Sequence, residues 1–125
     1  MNEIFHTDKA PAALGPYSQA VKAGDLLFVS GQIPIDPATN TMVENDIAVQ
    51  TRQSLTNVKA ILESAGYSCA DVVKTTVLLS DIANFVPMNE VYAAFFPENC
   101  PARACFAVKD LPKGALVEIE VIASK

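Results

Sequence analysis

At 125 residues the chain has room for one domain, residues 1–125, with a real core, and not for two. Fourteen acidic side chains against nine basic ones leave a net charge of −5, and no Lys/Arg run exists, so a nucleic-acid partner has little electrostatic footing. Half of the residues are hydrophobic and only 18% are charged, which in so small a protein hints at apolar surface buried against another subunit.

The N-terminus lacks the apolar segment of a signal peptide, and no apolar run approaches the roughly 18 residues a membrane span needs. The expectation is a soluble, cytoplasmic protein without a membrane partner. Cys69, Cys100 and Cys105 are an odd set without a C-x-x-C spacing, which argues against a disulfide framework and a zinc site. His6 is the single histidine, so a histidine metal site is excluded and no metal is expected.

In chain order, residues 11–16 read as an ordered loop. Tyr17–Lys22 and Leu26–Ser30 read as two strands about a hairpin turn at Ala23-Gly24-Asp25. Ser30-Gly31-Gln32 ends the second strand, with Gly31 freeing the backbone to turn or to approach a ligand closely. Asp36–Asn40, containing Pro37, reads as a turn. Asn45 or Asp46 can cap a helix whose apolar positions run through Ile47, Leu55, Val58, Ile61/Leu62 and Ala65, and Gly66 stops it. The β-branched run Val72–Leu79 predicts a buried strand. Ser80 or Asp81 opens a second helical region that tolerates Pro87 only in its first turn. Its apolar side is Met88, Val91, Tyr92, Phe95 and Phe96, and Pro97 ends it. Pro101–Phe106 and Val117–Val121 read as the last two strands. The order β-β-α-β-α-β-β favours an α+β or α/β sandwich with both helices on one face of the sheet.

Chemistry concentrates in those last two strands. Period-2 alternation puts Arg103 and Cys105 on one face of the first, and Glu118 and Glu120 on one face of the second. A guanidinium on so apolar a strand is costly unless something anionic meets it. The partner is a glutamate of the last strand, a ligand carboxylate, or both in turn. The pattern suggests a small pocket that binds carboxylate and holds its own carboxylate base.

Four segments make the chain resemble the RidA family (YjgF, L-PSP) of reactive-intermediate deaminases over essentially its whole length. They are Gly15-Pro16-Tyr17-Ser18-Gln19, Val29-Ser30-Gly31-Gln32-Ile33-Pro34, Val73-Lys74-Thr75-Thr76-Val77, and Pro101-Ala102-Arg103 taken with Val117-Glu118-Ile119. The resemblance implies a chorismate-mutase-like α+β fold with a mixed sheet, two helices on one face, and a homotrimer with clefts between subunits. It also implies that the last strand inserts elsewhere in the sheet instead of forming a hairpin with the Arg103 strand. The implied activity is hydrolysis of 2-imino acids, among them 2-iminopropanoate and 2-iminobutanoate, to 2-oxo acids and ammonia, without a cofactor.

On that resemblance Arg103 is a carboxylate clamp, its planar fork matching two oxygens. Glu118, in preference to Glu120 on the same face, holds the attacking water. Tyr17, Ser30 and Asn89 match pocket positions of the family, Asn89 on a helix face shared with Tyr92 and Phe96, and Gly31 is expected to allow close backbone approach to the substrate. Cys105 is expected to line the pocket rather than attack, because an imine needs only water and no histidine is near in sequence. Residue by residue, blander roles compete: an Arg103–Glu118 or Arg103–Glu120 ion pair, solvated glutamates, a turn serine, a surface asparagine. Two other functions compete as well, a trimer that merely binds small carboxylates and an endoribonuclease.

Overall fold

A computed structural model describes residues 2–125. Among them the chain forms β1 (Glu3–Phe5), β2 (Ala20–Ala23), β3 (Leu26–Gln32), β4 (Ile35–Asp36), β5 (Thr41–Met42), α1 (Ile47–Ser64), β6 (Val72–Leu79), α2 (Phe85–Phe95), β7 (Ala102–Ala107) and β8 (Val117–Ser124). Six strands make one mixed sheet in the order β1-β2-β3-β8-β6-β7, and β4 with β5 makes a separate two-stranded ribbon. Only β6 and β7 run parallel; the other pairs of the large sheet are antiparallel.

The last strand is therefore not the hairpin partner of the Arg103 strand. β8 runs between β3 and β6, and β7 is left at the sheet edge. Insertion at the centre suits β8, because Val117, Ile119, Val121 and Ala123 are all at most 2% exposed and need a helix above them. They pack with Leu27 and Val29 of β3, Val77 and Leu79 of β6, Leu55, Val58, Ile61 and Leu62 of α1, and Met88 and Tyr92 of α2. Both helices thus cover one face of the sheet.

Several local expectations shift. The first hairpin strand begins at Ala20 instead of Tyr17, because the Tyr17 N–H closes a tight turn onto the Gly15 carbonyl. Asp36–Asn40 is a turn with a strand on either side, closed by the Asn40 N–H on the Asp36 carbonyl. β6 is buried on one face only: Val72, Thr75, Val77 and Leu79 lie under the helices, whereas Lys74, Thr76 and Leu78 face the other way. Helix α1 starts as read, with the Asp46 carboxylate accepting the Val49 N–H at 3.0 Å, and Gly66 at φ 81° ends it. Asp81 caps a short 3₁₀ turn, Ile82–Asn84, that leads into α2 and leaves Pro87 within the first helical turn.

Two buried amides fix the loops that frame the chemistry. Gln50 of α1 accepts the Leu116 N–H at 2.8 Å just before β8, and Gln19 donates to the Pro11 carbonyl at 2.8 Å while accepting the Thr7 N–H at 2.7 Å. Such satisfied buried groups hold a backbone in place, since breaking one strands the partner.

Candidate functional site

Strand register decides where the singled-out side chains point. Thr75 of β6 lies opposite Arg103 of β7 and opposite Val121 of β8. Residues directly opposite share a face. Arg103 and Cys105 therefore point to the helix-covered face, with Thr75 and Val77. Glu118 and Glu120 alternate with the buried residues of β8, so they point to the open face. The seven positions read from sequence fall into two groups.

The first group is on the open face. Tyr17, Ser30, Gly31 and Glu118 line one cleft with Ile33, Pro112 and Glu120, with a volume of about 410 Å³. The Ser30 hydroxyl donates to the Ser18 carbonyl at 2.6 Å, which ties β3 to the loop carrying Tyr17. Gly31 sits where the β3–β8 register slips between Val29 and Gln32. The Glu118 carboxylate lies directly on it: a Cβ at position 31 would come within 3.0 Å of Glu118 Cδ and closer still to Oε2. The glycine is thus needed for space. Burial pushes the Glu118 carboxyl above the usual carboxylate range, and the neighbouring Glu120 charge pushes it the same way.

The second group is across the sheet. Arg103 and Asn89 line a cleft of about 370 Å³ with Tyr92, Ala93, Phe96, Cys100 and Pro101. Arg103 Nη1 donates to Asn89 Oδ1 at 2.7 Å. The guanidinium carbon lies 4.8 Å from the centre of the Tyr92 ring and 5.5 Å from that of Phe85. Cys105 follows two residues on, half-buried; burial pushes its thiol up and the Arg103 charge offsets part of that.

An ion pair between Arg103 and Glu118 or Glu120 does not form within the chain, because the two strands present these residues to opposite faces. Among the described residues no Lys or Arg side chain lies within 4.0 Å of a carboxylate, the one close approach being His6 Nε2 to Asp8 Oδ1 at 3.1 Å, so Arg103 has no carboxylate partner. Nor does one chain hold the arginine and the glutamate in a single pocket. The sequence reading missed Pro112 and Ile33 beside Glu118, and Phe85 beside Arg103. It places Tyr92 on the Asn89 face without tying it to the arginine, and the spacing of Phe85 with Asn89 and Tyr92, one stripe of a helix, is the signal that could have found the phenylalanine. No group of three or more His, Cys, Asp or Glu side chains that could hold a metal gathers among the described residues, and no helix there is long and apolar enough to cross a membrane.

A helix-backed mixed sheet with one open face, carrying a raised carboxyl on that face and a free guanidinium at its edge, defines a class of small α+β domains. Within that class the match is specific: the profile of the family described as Endoribonuclease L-PSP spans residues 7–125, and the chain belongs to that family. A RutC family protein of Pyrococcus horikoshii is 58% identical over 125 residues, covering 100% of this chain and 99% of the relative. A protein of Salmonella typhimurium named 2-iminobutanoate/2-iminopropanoate deaminase is 49% identical over 126 residues, covering 98% of each. The crystal structure of Escherichia coli TdcF with bound serine superposes with a TM-score of 0.94 at 45% identity, covering 98% of each chain.

Proposed function

We propose that the protein is a deaminase that hydrolyses small 2-imino acids, such as 2-iminopropanoate and 2-iminobutanoate, to 2-oxo acids and ammonia, and that it works as a cytoplasmic homotrimer. One observation carries the reading: a guanidinium without a carboxylate partner and a raised carboxylate seated on a glycine occupy separate clefts of one chain. Brought together from two copies, they make a receptor for an anion beside a base for water. A closed ring of three copies uses each half once. The open sheet face has the surface for such a contact, with Phe28 43% and Phe106 49% exposed on it. The Salmonella relative carries the activity in its name, and TdcF binds serine, an amino acid with the same carboxylate. The free cysteines Cys69, Cys100 and Cys105 suit a reducing compartment.

The chemistry follows from these parts. Arg103 takes the substrate carboxylate through paired N–H donors. Tyr17, Ser30 and Gly31 shape the wall opposite, and Asn89 steadies the guanidinium. Glu118 accepts a proton from water as its oxygen bonds to the imine carbon, whose nitrogen is protonated. Glu118 returns that proton to the carbinolamine nitrogen, and the C–N bond breaks as the hydroxyl gives up its own proton to form the C=O of the 2-oxo acid; that proton leaves with ammonia as ammonium. Every atom comes from water and substrate, so the mechanism calls for neither metal nor cofactor.

The test is release of ammonia and 2-oxo acid by purified protein from imines made in situ by an amino-acid oxidase. No acceleration over buffer overturns the reading. A carboxylate-binding trimer without catalysis is the second reading, favoured by the serine bound in TdcF; it requires Arg103 and is indifferent to Glu118. The family's description names an endoribonuclease, against which stand a net charge of −5 and a single histidine.

A further inference from the structure

We propose that Tyr92 and Phe85 are positioning residues that hold Arg103 as a preformed carboxylate receptor; the proposal rests on the reading of Arg103 as the substrate clamp. Phe85, Asn89 and Tyr92 recur at i, i+4 and i+7 along α2, so they make one stripe, and Arg103 lies against it. The asparagine takes one guanidinium N–H at 2.7 Å, and the rings stand 4.8 and 5.5 Å from its carbon. A guanidinium is planar and weakly hydrated, so it packs on ring faces while its N–H edge stays free for a carboxylate.

Tyr92 is itself fixed at both ends. Its hydroxyl shares a hydrogen bond of 2.8 Å with Thr75, which stands opposite Arg103 in the β6–β7 ladder, and its ring packs on Phe96 with centres 4.8 Å apart. Backbone and head group of Arg103 are thus referred to the same point of the sheet. A long flexible side chain held this way gives up its rotamer freedom on folding instead of on binding, which strengthens the complex. The rings attract the cation through their faces but do not neutralise it, so the charge stays available to an anion.

The experiment compares 2-oxobutanoate with its uncharged amide as ligands, alongside imine turnover, in Tyr92→Leu, Tyr92→Phe and Phe85→Leu. Phe85 is 36% exposed, so its variant tests the idea even where Tyr92→Leu folds poorly. Expected is a loss of about five- to tenfold in 2-oxobutanoate affinity and a matching rise in KM for Tyr92→Leu, less for Phe85→Leu, with amide binding unmoved. Tyr92→Phe, which keeps the ring and loses the Thr75 bond, should lie between wild type and Tyr92→Leu. Equal losses for acid and amide, or no loss for the acid in both leucine variants, overturns the proposal. Turnover that needs Arg103 yet ignores the rings leaves the deaminase standing and the inference fallen. Acid-selective binding that needs the rings, in a protein without turnover, does the reverse.

Discussion

Arg103 and Glu118 stand on opposite faces of the same sheet, with β6 between their strands. Arg103 is level with Thr75 of β6 and Glu118 with Leu78, three residues further along. Neither side chain can reach through the layer to the other. Chemistry that uses both must therefore be shared between copies.

Mixing should restore activity. Arg103→Ala and Glu118→Gln are each expected to be nearly inactive alone. After subunit exchange between equal amounts, a cyclic trimer with sites between copies has one intact site in each mixed ring, so about a quarter of wild-type activity returns. A site confined to one chain recovers nothing. Light scattering of the wild type at micromolar concentration should give three chain masses.

The two charged residues should separate by assay. Arg103→Ala loses a charge-assisted contact of roughly 2–3 kcal/mol, a fall of about 30–150-fold in kcat/KM, with 2-oxo acid binding weakened in parallel. Glu118→Gln keeps the shape and removes the base, so 2-oxo acid binding survives while turnover falls by roughly 10²-fold or more. Unchanged turnover in Glu118→Gln removes the general-base role. A larger loss in Glu120→Gln transfers that role to Glu120.

Gly31→Ala should impair turnover without unfolding the protein. The atoms a new Cβ meets belong to the free end of the Glu118 side chain, which can swing aside. We expect about a tenfold or greater loss in kcat, with a Tm within a few degrees of wild type. A collapse in Tm contradicts the idea that the glycine serves the carboxylate alone.

The pH profile carries the mark of Glu118. Its carboxyl is raised, by burial first and by Glu120 second, so a base role needs a higher pH to ionise it than an ordinary glutamate does. The acid limb of kcat/KM should stand above the usual carboxylate range. Glu120→Gln removes the lesser cause, so the limb should move down part of the way, burial holding the rest. A limb unmoved or moved upward by that change goes against the assignment.

Cys105→Ser should retain substantial imine hydrolysis. Burial holds the thiol up, so little thiolate is present near neutral pH, and an imine requires no covalent step. A substrate-derived adduct on Cys105 in a mass spectrum decides the other way.

Local order was legible because its causes are local. Asp46 before the 3.6-residue repeat and Gly66 after it delimit α1, and alternation marks β7 and β8, since a helix or strand is stabilised by neighbours a few residues away. The same alternation told which side chains share a face, Arg103 with Cys105 and Glu118 with Glu120. It could not tell that these two faces are opposite ones. Relative facing depends on which strands pair and in what register, and a β7–β8 hairpin satisfies the same pattern as β8 inserted between β3 and β6. Burial chose: Val117, Ile119 and Val121 need cover from α1, which the centre of the sheet provides and its edge does not. β1, β4 and β5 escaped notice because strands of two or three residues hold too little pattern, and Tyr17 leaves the strand read for it because a turn on Gly15 comes first. So the sequence by itself determined the elements and the kinds of side chain at the candidate site, whereas long-range pairing alone decided that one chain carries them as two separate halves.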